Sequence, residues 1–168
     1  MSSYTEDNNQ VPEMQQNLEL LQELPFFASF PSQVMKLLAL MAERIVFSEG
    51  ENIFEAGDDH GRAYLILHGQ LTLIKQTPAT SVRHYYEGDF IGTLSLLGSM
   101  PSLFTLQSDK ETETLSIERD HFSKILEQFP ETVQLSLTAL AKEIHQWERK
   151  SLTTAKDCCL KLAGVTNL

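Results

Sequence analysis

Apolar positions first fall at helical spacing between Met14 and Leu24, where Met14, Leu18 and Leu21 share a face. Pro25 closes that segment, because the residue before a proline is steered away from helix. A short aromatic turn of Phe26, Phe27 and Phe30 follows, and Pro31 and Ser32 open a second helix with Val34, Leu37, Leu38 and Met41 on one face. From Arg44 to Ile117 the pattern changes to short β-branched and aromatic runs punctuated by Gly50, Gly57, Gly61, Gly69 and Gly88. It predicts strands at Arg44–Ser48, Asn52–Glu55, Ala63–Leu67, Leu71–Lys75, Ser81–Tyr86, Leu103–Gln107 and Glu113–Ser116. Short strands at this spacing favour a roll, barrel or sandwich. Helical spacing returns after Arg119, first over Asp120–Gln128 with Asp120 as N-cap, then in a long segment starting at Pro130. The expected organisation is a flexible acidic tail over 1–12, one domain over 13–150, and a short C-terminal helix or tail over 151–168.

Composition narrows the function. A chain of 168 residues, 42% hydrophobic, suits one domain with a proper core. Its net charge of -10 repels phosphate backbones, and its basic residues do not cluster, so no nucleic-acid partner is expected. No apolar run approaches the roughly 20 residues of a membrane span, and the first residues lack the features of a signal peptide. The expectation is a cytoplasmic protein without membrane attachment. Cys158 and Cys159 are adjacent and read as reduced, while His60, His68, His84, His121 and His145 show no metal-ligand spacing. No Gly-x-Ser-x-Gly elbow or similar nucleophile is present, so neither enzyme activity, metal nor cofactor is expected.

Three stretches carry a family resemblance. SEGENIFEAGDD at 48–59 and AYLILHGQLTLI at 63–74 resemble the first half of a cyclic-nucleotide-binding domain. EGDFIGTLSLLGSMPSLFTL at 87–106 resembles that family's phosphate-binding cassette, and the likeness runs over about 24–150. It implies a mainly β fold with flanking helices: a double-stranded β-helix, or jelly-roll-like β-roll, with N-terminal helices and a long C-terminal helix. In the family a glycine and a short helix direct backbone N–H groups at the phosphate, a role that falls here on Gly92 and Leu94–Leu97. The family's next residue is a ribose-binding glutamate, and an arginine after the cassette proline pairs with the phosphate; here these places hold Thr93 and Ser102. Arg62, Arg83 or His84 are candidates for a substitute charge, and alternation along Ser81–Tyr86 leaves open which of the last two faces inward.

Two readings of the cassette stay open. In one it is a turn kept for its shape; in the other, Gly92, Thr93, Leu94, Ser102, Leu103 and Trp147 line a retuned pocket, with Leu103 and Phe104 as apolar surface. The closing helix likewise has two readings. Val133, Leu137, Leu140, Ile144 and Trp147 form a seam that either packs on the roll or pairs with a second copy. The latter is what resemblance to bacterial catabolite-activator-like regulators implies, and there Trp147 serves as interface anchor or pocket lid. The resulting expectation is a stand-alone regulatory or protein-interaction module of bacterial type, without a helix-turn-helix, with weak or no cyclic AMP or cyclic GMP binding and a homodimer or other protein as partner. The alternative is a small-molecule sensor.

Overall fold

The computed structural model describes residues 7–76 and 79–154. Two helices, α1 (Asp7–Gln22) and α2 (Ser32–Met41), flank a one-turn 3-10 segment at Pro25–Phe27. Then come β1 (Glu43–Phe47), β2 (Asn52–Phe54), β3 (Arg62–His68), β4 (Gln70–Gln76), β5 (Ala79–Tyr86), β6 (Phe90–Ile91), α3 (Thr93–Leu97), β7 (Thr105–Ser108) and β8 (Thr112–Glu118). Helices α4 (Arg119–Gln128) and α5 (Glu131–Thr154) are the last of the described elements. The first helix thus begins at Asp7, ahead of the expected Met14. In α4, Arg119 leads and Glu118 is the N-cap residue without a side-chain cap, so Asp120 sits in the first turn and is not the cap. Of the short C-terminal helix or tail expected over 151–168, residues 151–154 continue α5, and the rest, with Cys158 and Cys159, lies outside the described residues.

The strands form two antiparallel four-stranded sheets, ordered β1-β8-β3-β6 and β2-β7-β4-β5. This is the β-roll with N-terminal helices and a long C-terminal helix that the resemblance implies. Strand β3 explains how the layers share one wall. Ala63, Leu65 and Leu67 point outward to the helices, while Tyr64 and Ile66 point into the roll, so the strand is buried on both faces and reads as an unbroken apolar run.

Outside the roll, Phe26, Phe27 and Phe30 interlock with Phe90 and Phe122; Phe26 meets Phe27 edge-on at 5.0 Å and Phe27 meets Phe30 at 5.2 Å. Such tilted geometries suit the ring quadrupoles. Inside the roll, Phe47, Phe54, Leu71 and Leu106 pack with Tyr64 and Ile66. Thr114 and Ser116 of β8 are fully buried on the same inner face. No helix among the described residues is long and apolar enough to cross a membrane.

Candidate functional site

The cassette begins at Gly92, whose φ of 92° lies in the left-handed region. A Cβ there would come within 2.5 Å of the Arg62 carbonyl oxygen and 3.1 Å of the Ala63 Cα. Glycine is therefore required by the packing of this turn against β3, whether or not a ligand approaches. Helix α3 follows at once, and Thr93 is buried, with its hydroxyl toward the Glu143 carboxyl of α5. Burial raises the Glu143 pKa, and the nearby Thr93 hydroxyl opposes that rise. Ser102 is fixed through its backbone: its N–H donates to the Asp58 carbonyl and its carbonyl accepts from Gly57, both at 2.8 Å.

The apolar candidates turn outward. Leu103 is 82% exposed, Trp147 60% and Leu94 46%, so Leu103 presents its side chain to solvent and not to a pocket. On α5, Val133, Leu137 and Ile144 are also exposed, while Leu140 is half-buried and packs on the helical core with Leu135 and Ala139. The seam therefore splits, with Leu140 turned toward its own chain.

Residues that motif reading missed tie the cassette down. His60 stacks flat on Phe54, with ring centroids 4.0 Å apart and planes 4° apart. Its Nδ1 accepts the Arg62 backbone N–H at 3.3 Å, which assigns the proton to Nε2, and Nε2 donates to Ser95 Oγ at 3.1 Å. In that tautomer His60 cannot take a proton from Ser95, so the pair is a packing contact and not a nucleophile with its base. Burial lowers the His60 pKa, and the Arg119 charge acts in the same direction against Asp59 and Asp58.

Arg119, the first residue of α4, donates from Nε to the Ser95 carbonyl at 2.5 Å and grips the Asp59 carboxylate with both terminal nitrogens, Nη1 at 2.9 Å. Ser99 Oγ donates to the same carboxylate at 2.5 Å. The Arg119 hydrogen bonds, then that of Ser99, hold the Asp59 carboxyl well below the usual carboxylate range. The β2–β3 loop, α3 and α4 are thereby fastened together. The arginine that reaches the cassette helix is neutralised by the chain's own aspartate.

The three substitute cations are placed differently. Arg62 is engaged by Glu43 at 2.9 Å and Glu118 at 3.5 Å. Tyr85 packs into the roll core, so Arg83, two residues before it on the same strand face, shares the inner side and lies over the Tyr85 ring at 4.7 Å. His84 faces the other way, 2.7 Å from Thr72 Oγ1. Among the described residues no group of three or more His, Cys, Asp or Glu side chains is arranged to hold a metal ion.

A family model described as cyclic nucleotide-binding domain matches residues 44–129. A cyclic nucleotide-binding-like protein from Brucella abortus shares 31% identity and a TM-score of 0.60, covering 67% of this chain and 98% of its own. The N-terminal domain of a transcriptional regulator from Streptomyces coelicolor has a TM-score of 0.66 at 22% identity, covering 83% of this chain and 96% of its own; it shares the fold. A cAMP-dependent protein kinase regulatory subunit from Emericella nidulans is 27% identical over 106 residues, which cover 63% of this chain and 26% of the relative. This chain thus spans about a quarter of that relative's length.

Proposed function

The chain belongs to the cyclic nucleotide-binding domain family, and from that premise we propose that it is a non-catalytic, cytoplasmic regulatory module that works through protein contacts and holds cyclic AMP or cyclic GMP weakly or not at all. The observation that carries this reading is that the cassette stretch brings no positive charge of its own, and the arginine that reaches its helix is already bound within the chain. Thr93 lies against Glu143, Arg119 is bound to Asp59, and Ser102 brings no charge. A hydrogen bond to a charged group contributes about 1.5–3 kcal/mol. Losing two such bonds to a ligand lowers affinity by roughly a hundredfold or more.

Calorimetric titration with cyclic AMP and cyclic GMP tests this. We expect no binding at micromolar or tighter affinity, and a gain of about tenfold in Ser102→Arg, which returns one charge-assisted bond. Micromolar binding by the unaltered protein would overturn the reading and favour a small-molecule sensor.

The partner includes a second copy of the chain in this reading. What supports it is the exposed row Val133, Leu137, Ile144 and Trp147 on α5, whose spacings of four, seven and three follow the heptad seam of paired helices.

A further inference from the structure

A cavity of about 640 Å³ opens between the C-terminal half of α1 and strand β3, with Glu87 and Gly88 at the start of the cassette stretch on its edge. Its apolar lining includes Leu20, Leu24, Pro25, Leu65, Ile66 and Leu67, of which Leu24, Leu65 and Leu67 are buried members of the helical core. Carboxylates surround this floor: Glu19 and Glu23 on the α1 side, and Glu87 at the turn before β6. Two basic residues also line it, and both are engaged. Arg44 is bonded to Gln16, Asn17 and Glu113, each at 3.2 Å, and lies 3.7 Å from Glu13; His68 lies 3.4 Å from Glu87. Among the described residues, neither Glu19, Glu23 nor Glu87 pairs with a lysine or arginine.

These acids do not serve the helix that carries them. Glu19 sits in the last turn of α1, which holds no basic residue, and Glu23 follows just beyond it. Carboxylates at a helix C-terminus oppose its dipole, and like charges four residues apart repel. A cation lodged in the groove relieves both terms. The protein's net charge of -10 adds a long-range attraction for a basic partner.

We propose that this groove docks a basic amphipathic segment of a partner protein, with apolar side chains on the leucine floor and lysine or arginine heads at Glu19, Glu23 and Glu87. Long basic side chains suit such a site, because their methylene stems cover apolar surface while the charge reaches the rim. The inference goes beyond the cassette reading and does not depend on nucleotide affinity.

The test is fluorescence anisotropy with a fluorescein-labelled peptide KLLKKLLK and the full chain. We expect saturable binding that weakens with salt and falls about tenfold or more in the double variant Glu23→Lys/Glu87→Lys. The control variant Glu111→Lys/Glu127→Lys, with the same net charge but exposed positions elsewhere, should bind like the unaltered protein. Circular dichroism melts establish that both variants fold. An equal loss in the two variants assigns the binding to net charge and overturns the proposal. So does equal affinity for the leucine-free peptide KGGKKGGK, and so does no binding up to millimolar peptide.

Discussion

Single residues at the cassette answer to the fold before they answer to any ligand. Gly92→Ala would place a methyl against the β3 backbone at a left-handed φ, and we expect a loss of about 2 kcal/mol or more of stability, read by urea denaturation. An unchanged midpoint would mean that the turn relaxes. His60 gives a pH signature. Its folded pKa is lowered below the ordinary value of 6.5, so the unfolded chain binds the proton more readily, and stability must rise with pH across that interval. The contribution is fully present above pH 6.5 and drains away as pH falls toward the folded value. The melting temperature should drop between pH 7.5 and 5.5, and His60→Gln should flatten part of that drop. Asp59 works the same way at lower pH: its depressed pKa contributes stability above the ordinary carboxylate value that is lost as acid protonates it.

At the level of elements, the clamp of Arg119 on Asp59 and on the Ser95 carbonyl joins α4 to the cassette helix and the β2–β3 loop. Arg119→Gln should raise amide hydrogen exchange at Thr93–Leu97 while leaving β3 and β8 protected, a localised opening that a global loss of stability would not mimic. The strands were largely legible because β-branched runs between turn glycines fix their own period, and β3 announced its double burial by an unbroken apolar stretch. The two-residue β6 was not, since Phe90–Ile91 is too short to show alternation. The clamp was hidden for another reason: Asp59 and Arg119 stand sixty positions apart, and nothing local in either marks a partner. Gly92, Thr93 and Ser102 were found by the cassette pattern, while the pattern said nothing of Glu143, which reaches Thr93 from a different helix. Alternation alone could not orient Arg83 and His84; the packing of Tyr85 into the roll core does.

At the largest scale, the described residues form two cores divided by a common wall, with an apolar row of the long helix α5 left outside both. If that row pairs with a second copy, Leu137→Glu or Ile144→Glu should give a monomer by light scattering with an unchanged fold, because a lone charge in an apolar seam is costly. Leu140→Glu is a poorer probe, since Leu140 also packs on its own chain and its loss would mix unfolding with dissociation. Unchanged mass in both of the first two variants would remove the dimer. The sheet that closes the roll also has a history in time. Its β1–β8 ladder joins Glu43 to Ser116 and Phe47 to Thr112, whereas the β4–β5 hairpin joins near neighbours. During synthesis at roughly 5–20 residues per second, β1 emerges about 3.5 to 14 seconds before the strand that pairs with it. The N-terminal helices and aromatic turn emerge earlier still, but Phe122, which packs on Phe30, follows β8 in the chain, so that layer is completed only after the strand that seals the roll has been made.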